Sequence, residues 1–244
     1  SEKVLIRKLL GIETAGSINL LFSDKTGTIT RGRLEAKLFI TGAGNIYEGF
    51  HTIPSTSQSL VAYSITENSS SFVSPAGEIV GGNVSEQALL TFVQKTSNKE
   101  VYEAVRQKEI LFNSERKYSA SQVKSEFIPK GFQSNQLTLI KGAPEVILDI
   151  CNHFHHEDGK IEVFSNKKEV NAKLDELADS GMRLIALAVS ENELNDSQSL
   201  PANAVLVGLI GIRDEIRDES YASIEAMHKA GVHVVMITGD RTET

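Results

Sequence analysis

The chain has 244 residues, of which 40% are hydrophobic and 23% charged, and its formal net charge is −7. This composition is typical of a globular protein with one large or two smaller domains, and the negative charge argues against nucleic acid or an anionic membrane surface as the partner. The single cysteine, Cys151, excludes an internal disulfide and favours a reducing compartment. Apolar runs stay far below the roughly 20 residues that cross a bilayer. Because neither an initiator methionine nor a signal peptide is present, we expect a piece of a longer protein.

The first third of the chain predicts one parallel strand followed by antiparallel structure. Apolar periodicity predicts a helix over residues 2–10, and the short apolar run Ile18–Phe22 predicts a buried parallel strand that ends next to Asp24. Loose alternation with several glycines over residues 33–52 predicts antiparallel strands and turns. The serine-rich stretch 64–74 is interpreted as a loop or a strand edge.

The middle of the chain alternates between predicted helices and strands. Asn83-Val84-Ser85-Glu86 resembles a capping box, so a helix is expected to follow it. Leu137–Ile140 predicts a strand, and Pro144 suits the first turn of the next helix. A further helix is predicted over 168–180, and Leu184–Val189 predicts another strand.

The end of the chain returns to a β-α-β pattern. Val205–Ile212 and Val232–Ile237 predict buried strands, and Glu219–Ala230 predicts a helix with Tyr221, Ile224 and Met227 facing inward. A strand, a long insert over 33–213 and further parallel strands therefore follow one another. The insert is long enough to form a domain of its own.

The run Asp24-Lys25-Thr26-Gly27-Thr28 carries the most specific chemistry in the chain. A carboxylate at the carboxyl end of a strand lies where α/β sheets bind ligands, and it is a nucleophile that can accept a phosphoryl group from ATP. Mg²⁺ would neutralise the phosphate charge, with Asp24 giving one oxygen to the metal and the other to phosphorus. Gly27 would let the backbone approach the phosphate, and Lys25 would supply a positive contact. The alternative is an ordinary polar turn after a strand.

Three segments together resemble the P-type cation-transporting ATPases. Asp24–Thr30 (DKTGTIT) resembles their phosphorylation motif, Lys141–Glu145 (KGAPE) their nucleotide-binding motif, and Thr238–Asp240 (TGD) a segment of their phosphorylation domain. The order and spacing also match the family. Phe112–Lys117 (FNSERK) and Gly82–Leu89 (GNVSEQAL) resemble two further nucleotide-domain stretches. Among the subfamilies, the resemblance favours the type 2 pumps, which include calcium pumps.

The resemblance implies a mixed α/β and α+β fold. A partial dehalogenase-like, Rossmann-type phosphorylation domain would comprise residues 1–32 and 214–244, and a nucleotide-binding domain of antiparallel sheet flanked by helices would comprise 33–213. The implied function is ATP hydrolysis coupled to cation transport through an aspartyl phosphate, on the cytoplasmic face of a membrane. The implied cofactors are ATP and Mg²⁺. The transported cation would bind membrane helices outside this chain, and its identity is not specified by the sequence.

The resemblance also assigns roles to residues. In the phosphorylation domain Asp24 would be phosphorylated, Thr26 would give a backbone oxygen to Mg²⁺, Thr238 would bind the phosphoryl group, and Gly239 and Asp240 would shape that site. In the nucleotide domain Phe112 would stack on adenine and Glu86 would accept from its amino group. The other expected nucleotide-site residues are Lys117, Lys141, Gly142 and Arg183, together with Asp214 and Arg217 at the return hinge.

Each assignment has an ordinary structural alternative. Phe112 is otherwise a core residue, Glu86 a charge at a helix start, Lys117 and Arg183 solvated side chains, and Asp214 with Arg217 an ion pair. Two rival functions also stay open. One is a soluble dehalogenase-like phosphatase, which Thr26 disfavours because that enzyme class has an aspartate acid–base there. The other is a non-catalytic nucleotide-binding module.

Two further expectations concern activity and metals. Because the family's later lysine and magnesium-binding carboxylates do not occur in this sequence, we expect the isolated chain to bind ATP without phosphorylating itself efficiently. His153, His155 and His156 lie near Asp158, where a metal site is conceivable. Three histidines in a loop are more often simply exposed, and that is the expectation here.

Overall fold

The computed structural model describes residue 14 and residues 16–94, 104–195 and 199–237. The helix predicted over residues 2–10 and the segment Thr238–Asp240 lie outside these residues. The described strands, in chain order, are β1 Leu20–Asp24, β2 Thr30–Ile40, β3 Ile46–Glu48, β4 Ser71–Val73, β5 Ile79–Gly81, β6 Ala104–Asn113, β7 Tyr118–Ser125, β8 Gln136–Gly142, β9 Cys151–His155, β10 Ile161–Val163, β11 Arg183–Ser190, β12 Ala204–Ile216 and β13 His233–Ile237. The described α-helices are α1 Ser55–Glu67, α2 Val84–Gln94, α3 Pro144–Ile150, α4 Lys167–Asp179 and α5 Asp218–Lys229.

The described chain divides into two compact units. The larger unit runs from Leu34 to Arg213, and the smaller one contains the described residues up to Arg33 and from Asp214 onward. The chain passes between the units within β2 and within β12. A mixed α/β architecture with a large antiparallel sheet was predicted and is confirmed.

The larger unit is built on a nine-stranded sheet, counted over the described residues. Its main path runs β10-β9-β12-β11-β8-β7-β6, with β2 on β12 and β3 on β2. Neighbours along β12-β11-β8-β7-β6 are antiparallel, and β9 lies parallel to β12. The antiparallel strands expected over 33–52 are present as β2 and β3.

Side-chain alternation divides the core of this unit into two clusters. Because successive strand residues point to opposite faces, Leu139 and Leu187 pack with helices α1 and α2, whereas Ile140 and Ala188 pack with α3 and α4. The helix predicted over 168–180 is α4, which buries Val170 and Leu174. Pro144 occupies the first turn of α3, as predicted.

Helix α1 corrects the interpretation of the serine-rich stretch. Residues 64–67, expected in a loop or strand edge, belong to this helix, and Ser71–Val73 is a strand. Ser57 and Ser64 are fully covered beside Leu60 and Tyr63. A serine side chain is small enough to be buried where a helix packs closely. Because a prediction from hydrophobic periodicity counts serine as polar, it does not recognise such a position as buried.

The smaller unit contains a two-stranded parallel sheet of β1 and β13, with Asp24 in register with Ile237. The parallel pairing was predicted, but the predicted burial is wrong because Leu20, Phe22 and Ile237 are exposed. The described part of the smaller unit contains a sheet of only two strands together with the helix α5. These elements are too few to bury the apolar side chains of the strands. Tyr221 of α5, expected to face inward, is also exposed.

Strand β12 corrects the predicted β-α-β pattern at the end of the chain. Its Val205–Ile212 segment is buried, as expected. It lies inside the large sheet, however, antiparallel to β11, whereas β13 pairs with β1. A long apolar run is equally suited to the centre of an antiparallel sheet that has helices on both faces.

The three neighbouring histidines differ in environment. His155 is buried, with its ring stacked 6.2 Å from that of Phe132 and its Nε2 2.9 Å from the carbonyl of Lys130. The expectation of exposed histidines in a loop is therefore wrong for His155, which is buried in β9, and His153 also belongs to this strand. Burial lowers the pKa of this imidazole. Among the described residues, no group of three or more His, Cys, Asp or Glu side chains is arranged to hold a metal ion.

Candidate functional site

Asp24 is the last residue of β1, and its side chain is exposed. Its partner in the register, Ile237, is the last residue of β13, so the two parallel strands end at the same edge. Thr238, Gly239 and Asp240 lie outside the described residues. The carboxylate of Asp24 is therefore accessible at the kind of strand end where α/β sheets bind ligands.

A tight turn follows Asp24 and brings the backbone back. Thr26 has φ −75° and ψ 120°, and Gly27 has φ 78° and ψ −8°. These are the central angles of a type II β-turn, which needs a residue with positive φ at its third position. A Cβ on Gly27 would meet no described atom within 4 Å. Conformation, not crowding within the described structure, therefore requires glycine at this position, and the space above it stays open.

Thr30, Asp214 and Arg217 hold this turn in place. The Thr30 hydroxyl accepts from the Gly27 N–H at 3.2 Å and donates to Asp214 Oδ2 at 2.6 Å. Arg217 donates through Nε to the Thr30 carbonyl and through Nη2 to the Gly27 carbonyl, both at 3.0 Å. The contacts of Asp214 and Arg217 thus fix the backbone after Asp24. Their expected part in binding the nucleotide stays a prediction.

The carboxylate of Glu86 and the ammonium of Lys141 form a buried ion pair in the larger unit. Lys141 Nζ lies 2.6 Å from Glu86 Oε1, and each side chain is only 7% exposed. Lys141 also donates to the backbone carbonyl of Asn68. Burial lowers the pKa of Lys141, and the charge of Arg106 lowers it further, while Glu86 opposes both effects.

Glu86 has a second task at the start of helix α2. Its backbone N–H donates to Asn83 Oδ1 at 3.0 Å, and the Asn83 N–H donates to Glu86 Oε2 at 3.4 Å. This is the predicted capping box, and it is confirmed. Gly82 lies so close that a Cβ there would stand 2.5 Å from Glu86 Oε2. The cap therefore fixes the carboxylate that pairs with Lys141.

Asn68 links helix α1 to the two central strands beside this pair. Its Nδ2 donates to the carbonyls of Ser119 at 3.3 Å and Leu139 at 3.1 Å, and its Oδ1 accepts from the Ser121 hydroxyl at 3.3 Å. The residue is buried. It therefore holds β7, β8 and the ammonium of Lys141 in a fixed relation.

An open depression in the surface, called the cavity below, lies next to the ion pair. Phe112, which is 53% exposed, lies at this cavity with its ring available to a ligand. The lining residues combine apolar, hydroxyl and charged groups: Asn68, Ser69, Ser70, Glu86, Arg106, Glu109, Ile110, Leu111, Phe112, Ser119 and Ser121. Among the predicted site residues, Glu86 and Phe112 line the cavity directly. Lys141 does not line it but forms an ion pair with Glu86, which does.

The FNSERK and KGAPE segments are neighbours in the structure. Tyr118 of β7 pairs with Gly142 of β8, and the Ala143 N–H donates to the Lys117 carbonyl at 2.9 Å. Lys117 Nζ lies 2.8 Å from Glu145 Oε1 in an exposed ion pair. A Cβ on Gly142 would stand 2.5 Å from the Lys117 carbonyl oxygen. Glycine at this position therefore allows the close contact between the two segments.

Arg183 is exposed at the first position of β11, and it is not one of the described residues that line the cavity. The lining residues that the sequence did not predict include Asn68, Arg106, Glu109, Ser119 and Ser121. Asn68 ends a helix that was not predicted. The others belong to β6 and β7, whose sequences lack the strong apolar alternation that marks a strand. Only the cross-strand pairing brings them to one face.

Comparison with known proteins identifies the family. The profile of the family described as P-type ATPase, cytoplasmic domain N, matches residues 56–219. A calcium-transporting ATPase of Yarrowia lipolytica is 29% identical over 266 residues, covering 100% of this chain and 28% of the relative. Calcium-transporting ATPases of Schizosaccharomyces pombe and Bacillus subtilis are 31% and 29% identical, and this chain spans 27% and 29% of their lengths.

The chain therefore covers less than a third of the length of each of these relatives. In the part of the chain that the structure describes, no helix is long and apolar enough to cross a membrane. The matched region nevertheless comprises more than half of the chain and contains the whole cavity. The chain thus belongs to the P-type ATPases, within the family of their cytoplasmic domain N.

Proposed function

We propose that this chain is the ATP-binding and phosphoryl-accepting part of a calcium pump that works through an aspartyl phosphate on the cytoplasmic face of a membrane. The observation that carries the proposal is the buried pair of Glu86 and Lys141 beside the exposed ring of Phe112. An aromatic face and fixed polar groups in one cavity suit a nucleotide base. Calcium is proposed because the relatives are named calcium-transporting ATPases.

The proposed division of labour follows the two units. Residues 33–213 would form the nucleotide-binding domain, and 1–32 with 214–244 part of a dehalogenase-like phosphorylation domain. Asp24 would attack the γ-phosphorus of ATP. The bond between that phosphorus and the bridging oxygen breaks, ADP leaves, and an acyl phosphate remains on Asp24. Thr26 offers no acid–base group for hydrolysis, so the acyl phosphate would persist.

Mg²⁺ fits the oxygen donors of the Asp24 segment. An exposed carboxylate and the backbone carbonyl of Thr26 are hard oxygen ligands, and Mg²⁺ is commonly held by one or two carboxylates together with substrate phosphates. When bound, the metal would supply neutralisation of the phosphate charge. Lys25, Thr238, Gly239, Asp240 and Arg183 are proposed as further phosphate contacts on the strength of the family motif alone.

The nucleotide site is tested by replacing Phe112 with alanine and titrating ATP calorimetrically. Stacking on an aromatic face contributes ~0.5–1.5 kcal/mol beyond buried area, so ATP affinity should fall about tenfold. Phe72→Ala is the matched control, because Phe72 is also exposed and lies outside the cavity lining. Equal affinities of both variants and the wild-type chain would contradict the assignment.

The phosphorylation site is tested in the intact pump with γ-labelled ATP and Mg²⁺. Acid-stable label should be incorporated by the wild-type protein and lost in Asp24→Asn, while ATP binding remains. Retention of the label in Asp24→Asn would exclude Asp24 as the acceptor.

A further inference from the structure

Ser119 is a buried residue that lines the cavity, and the proposed function gives its side chain no role. The residue is only 4% exposed, and its buried Oγ has no hydrogen-bond partner in the described part of the chain. A buried hydroxyl without a partner costs free energy, so the position is costly unless a ligand supplies the bond.

The sheet register places Ser119 beside the ion pair. Ser119 of β7 is the direct cross-strand partner of Lys141 of β8, and Ser121 is the partner of Leu139. Directly paired residues point to the same face of a sheet. Ser119 therefore lies on the face that carries Lys141, and it lines the cavity together with Glu86 and Phe112.

The two serines on this face, Ser119 and Ser121, differ in the hydrogen bonds that their hydroxyl groups make. The Ser121 hydroxyl donates to Asn68 Oδ1, so its bond is internal to the protein. Ser119 contributes only its backbone carbonyl to Asn68. Among the described residues, the Ser119 hydroxyl therefore has no hydrogen bond within the protein and can bond to a ligand.

We propose that the Ser119 hydroxyl hydrogen-bonds the base of the bound nucleotide and helps to select it, an inference that rests on the proposed nucleotide site. A hydroxyl both donates and accepts, so it can meet a ring nitrogen or an exocyclic amino group. A base is favoured over a phosphate because the two carboxylates at the cavity, Glu86 and Glu109, are balanced by Arg106 and by Lys141, so no excess positive charge is present to hold an anion. The nearby ring of Phe112 suits a heteroaromatic ligand.

The test compares Ser119→Ala with Ser64→Ala. Ser64 is equally buried and its hydroxyl also has no partner in the described residues, but it lies in α1, outside the cavity lining. Each variant and the wild-type chain is titrated with ATP and with AMP, and its urea unfolding is measured without nucleotide.

Ser119→Ala should weaken ATP and AMP by the same factor, about three- to tenfold, as expected for one hydrogen bond. The midpoint of its urea unfolding should be unchanged or higher, because no bond within the protein is lost. Ser64→Ala should leave both affinities unchanged.

Unchanged ATP affinity in Ser119→Ala would overturn the inference while leaving the proposed function intact. A loss for ATP without a loss for AMP would overturn it in favour of a phosphate contact. A lowered unfolding midpoint with unchanged affinity would show that the hydroxyl is structural. If the wild-type chain itself bound neither ATP nor AMP, that result would contradict the proposed function, and with it the inference about Ser119.

Discussion

Replacing Lys141 with methionine removes one charge of a pair that is almost entirely buried. Methionine keeps most of the side-chain volume, so the main consequence is a Glu86 carboxylate without its cation. Within the described part of the chain, Glu86 then retains two backbone N–H donors, from Ser70 and Asn83, at 3.4 Å each. Breaking a buried pair by removing one partner costs about 3–5 kcal/mol. For a unit of this size we expect the melting temperature to fall by about 10 °C.

Urea unfolding followed by far-ultraviolet circular dichroism measures this loss. Lys117→Met is the matched control, because its pair with Glu145 has a similar distance but is exposed, and such pairs contribute at most about 1 kcal/mol. The double variant Lys141→Met, Glu86→Gln should recover most of the lost stability, since no unpaired charge stays buried and the amide oxygen can still accept from the Asn83 N–H. Equal losses in Lys141→Met and Lys117→Met, or a double variant no better than Lys141→Met, would refute this account of the pair.

Three other positions give predictions of different kinds. Burial raises the pKa of the Cys151 thiol from 9.0 to about 12, so its stabilising contribution is complete below pH 9 and is lost as the pH rises toward 12. The stability of the wild-type chain relative to Cys151→Ala should accordingly decrease by up to about 1.4 kcal/mol per pH unit in that range. Gly142→Ala should destabilise the larger unit by about 2 kcal/mol in urea unfolding, because the new Cβ would overlap backbone atoms of Lys117. Gly27→Val should destabilise the smaller unit by about 1–2 kcal/mol, and Gly27→Asn by less, because asparagine tolerates positive φ better.

The controls for these three predictions use the same unfolding assay. Gly16→Ala should be close to neutral, since no described atom lies within 4 Å of the new Cβ. A stability difference for Cys151→Ala that does not change with pH would show that the thiol is not buried in solution. A neutral Gly142→Ala would show that β7 and β8 can separate. Equal losses in Gly27→Val and Gly27→Asn would argue that backbone conformation is not the cause.

The sequence predicted those elements whose signals are local. The capping box at Asn83 and Glu86 and the proline at the start of α3 each depend on residues within one turn of chain, and both are present. Helix α1 was missed because two of its buried positions are serines. The exposure of β1 was not predicted. An apolar run indicates that the side chains of a strand are apolar, but it does not indicate which elements pack against them.

The candidate site was predictable only in part for a similar reason. Motif resemblance identified Glu86, Phe112 and Lys141 separately. Their meeting depends on the tertiary arrangement of α2 and strands β6, β7 and β8, which brings Lys141 to Glu86 across 55 positions of sequence. Ser119 had no signal of its own, because its significance comes from standing opposite Lys141 across two strands. Cross-strand register is set by tertiary packing and is seldom visible in one sequence.

The helix cap at Glu86 has a consequence for which ligands the cavity can accept. A carboxylate offers about four lone-pair positions. Three donors of the described residues already occupy them, namely the N–H groups of Ser70 and Asn83 and the ammonium of Lys141. One position is left for a ligand, so a group that presents a single hydrogen to Glu86 fits, and a group that presents two meets a saturated acceptor. The bonds that begin a helix thereby limit what the cavity can recognise.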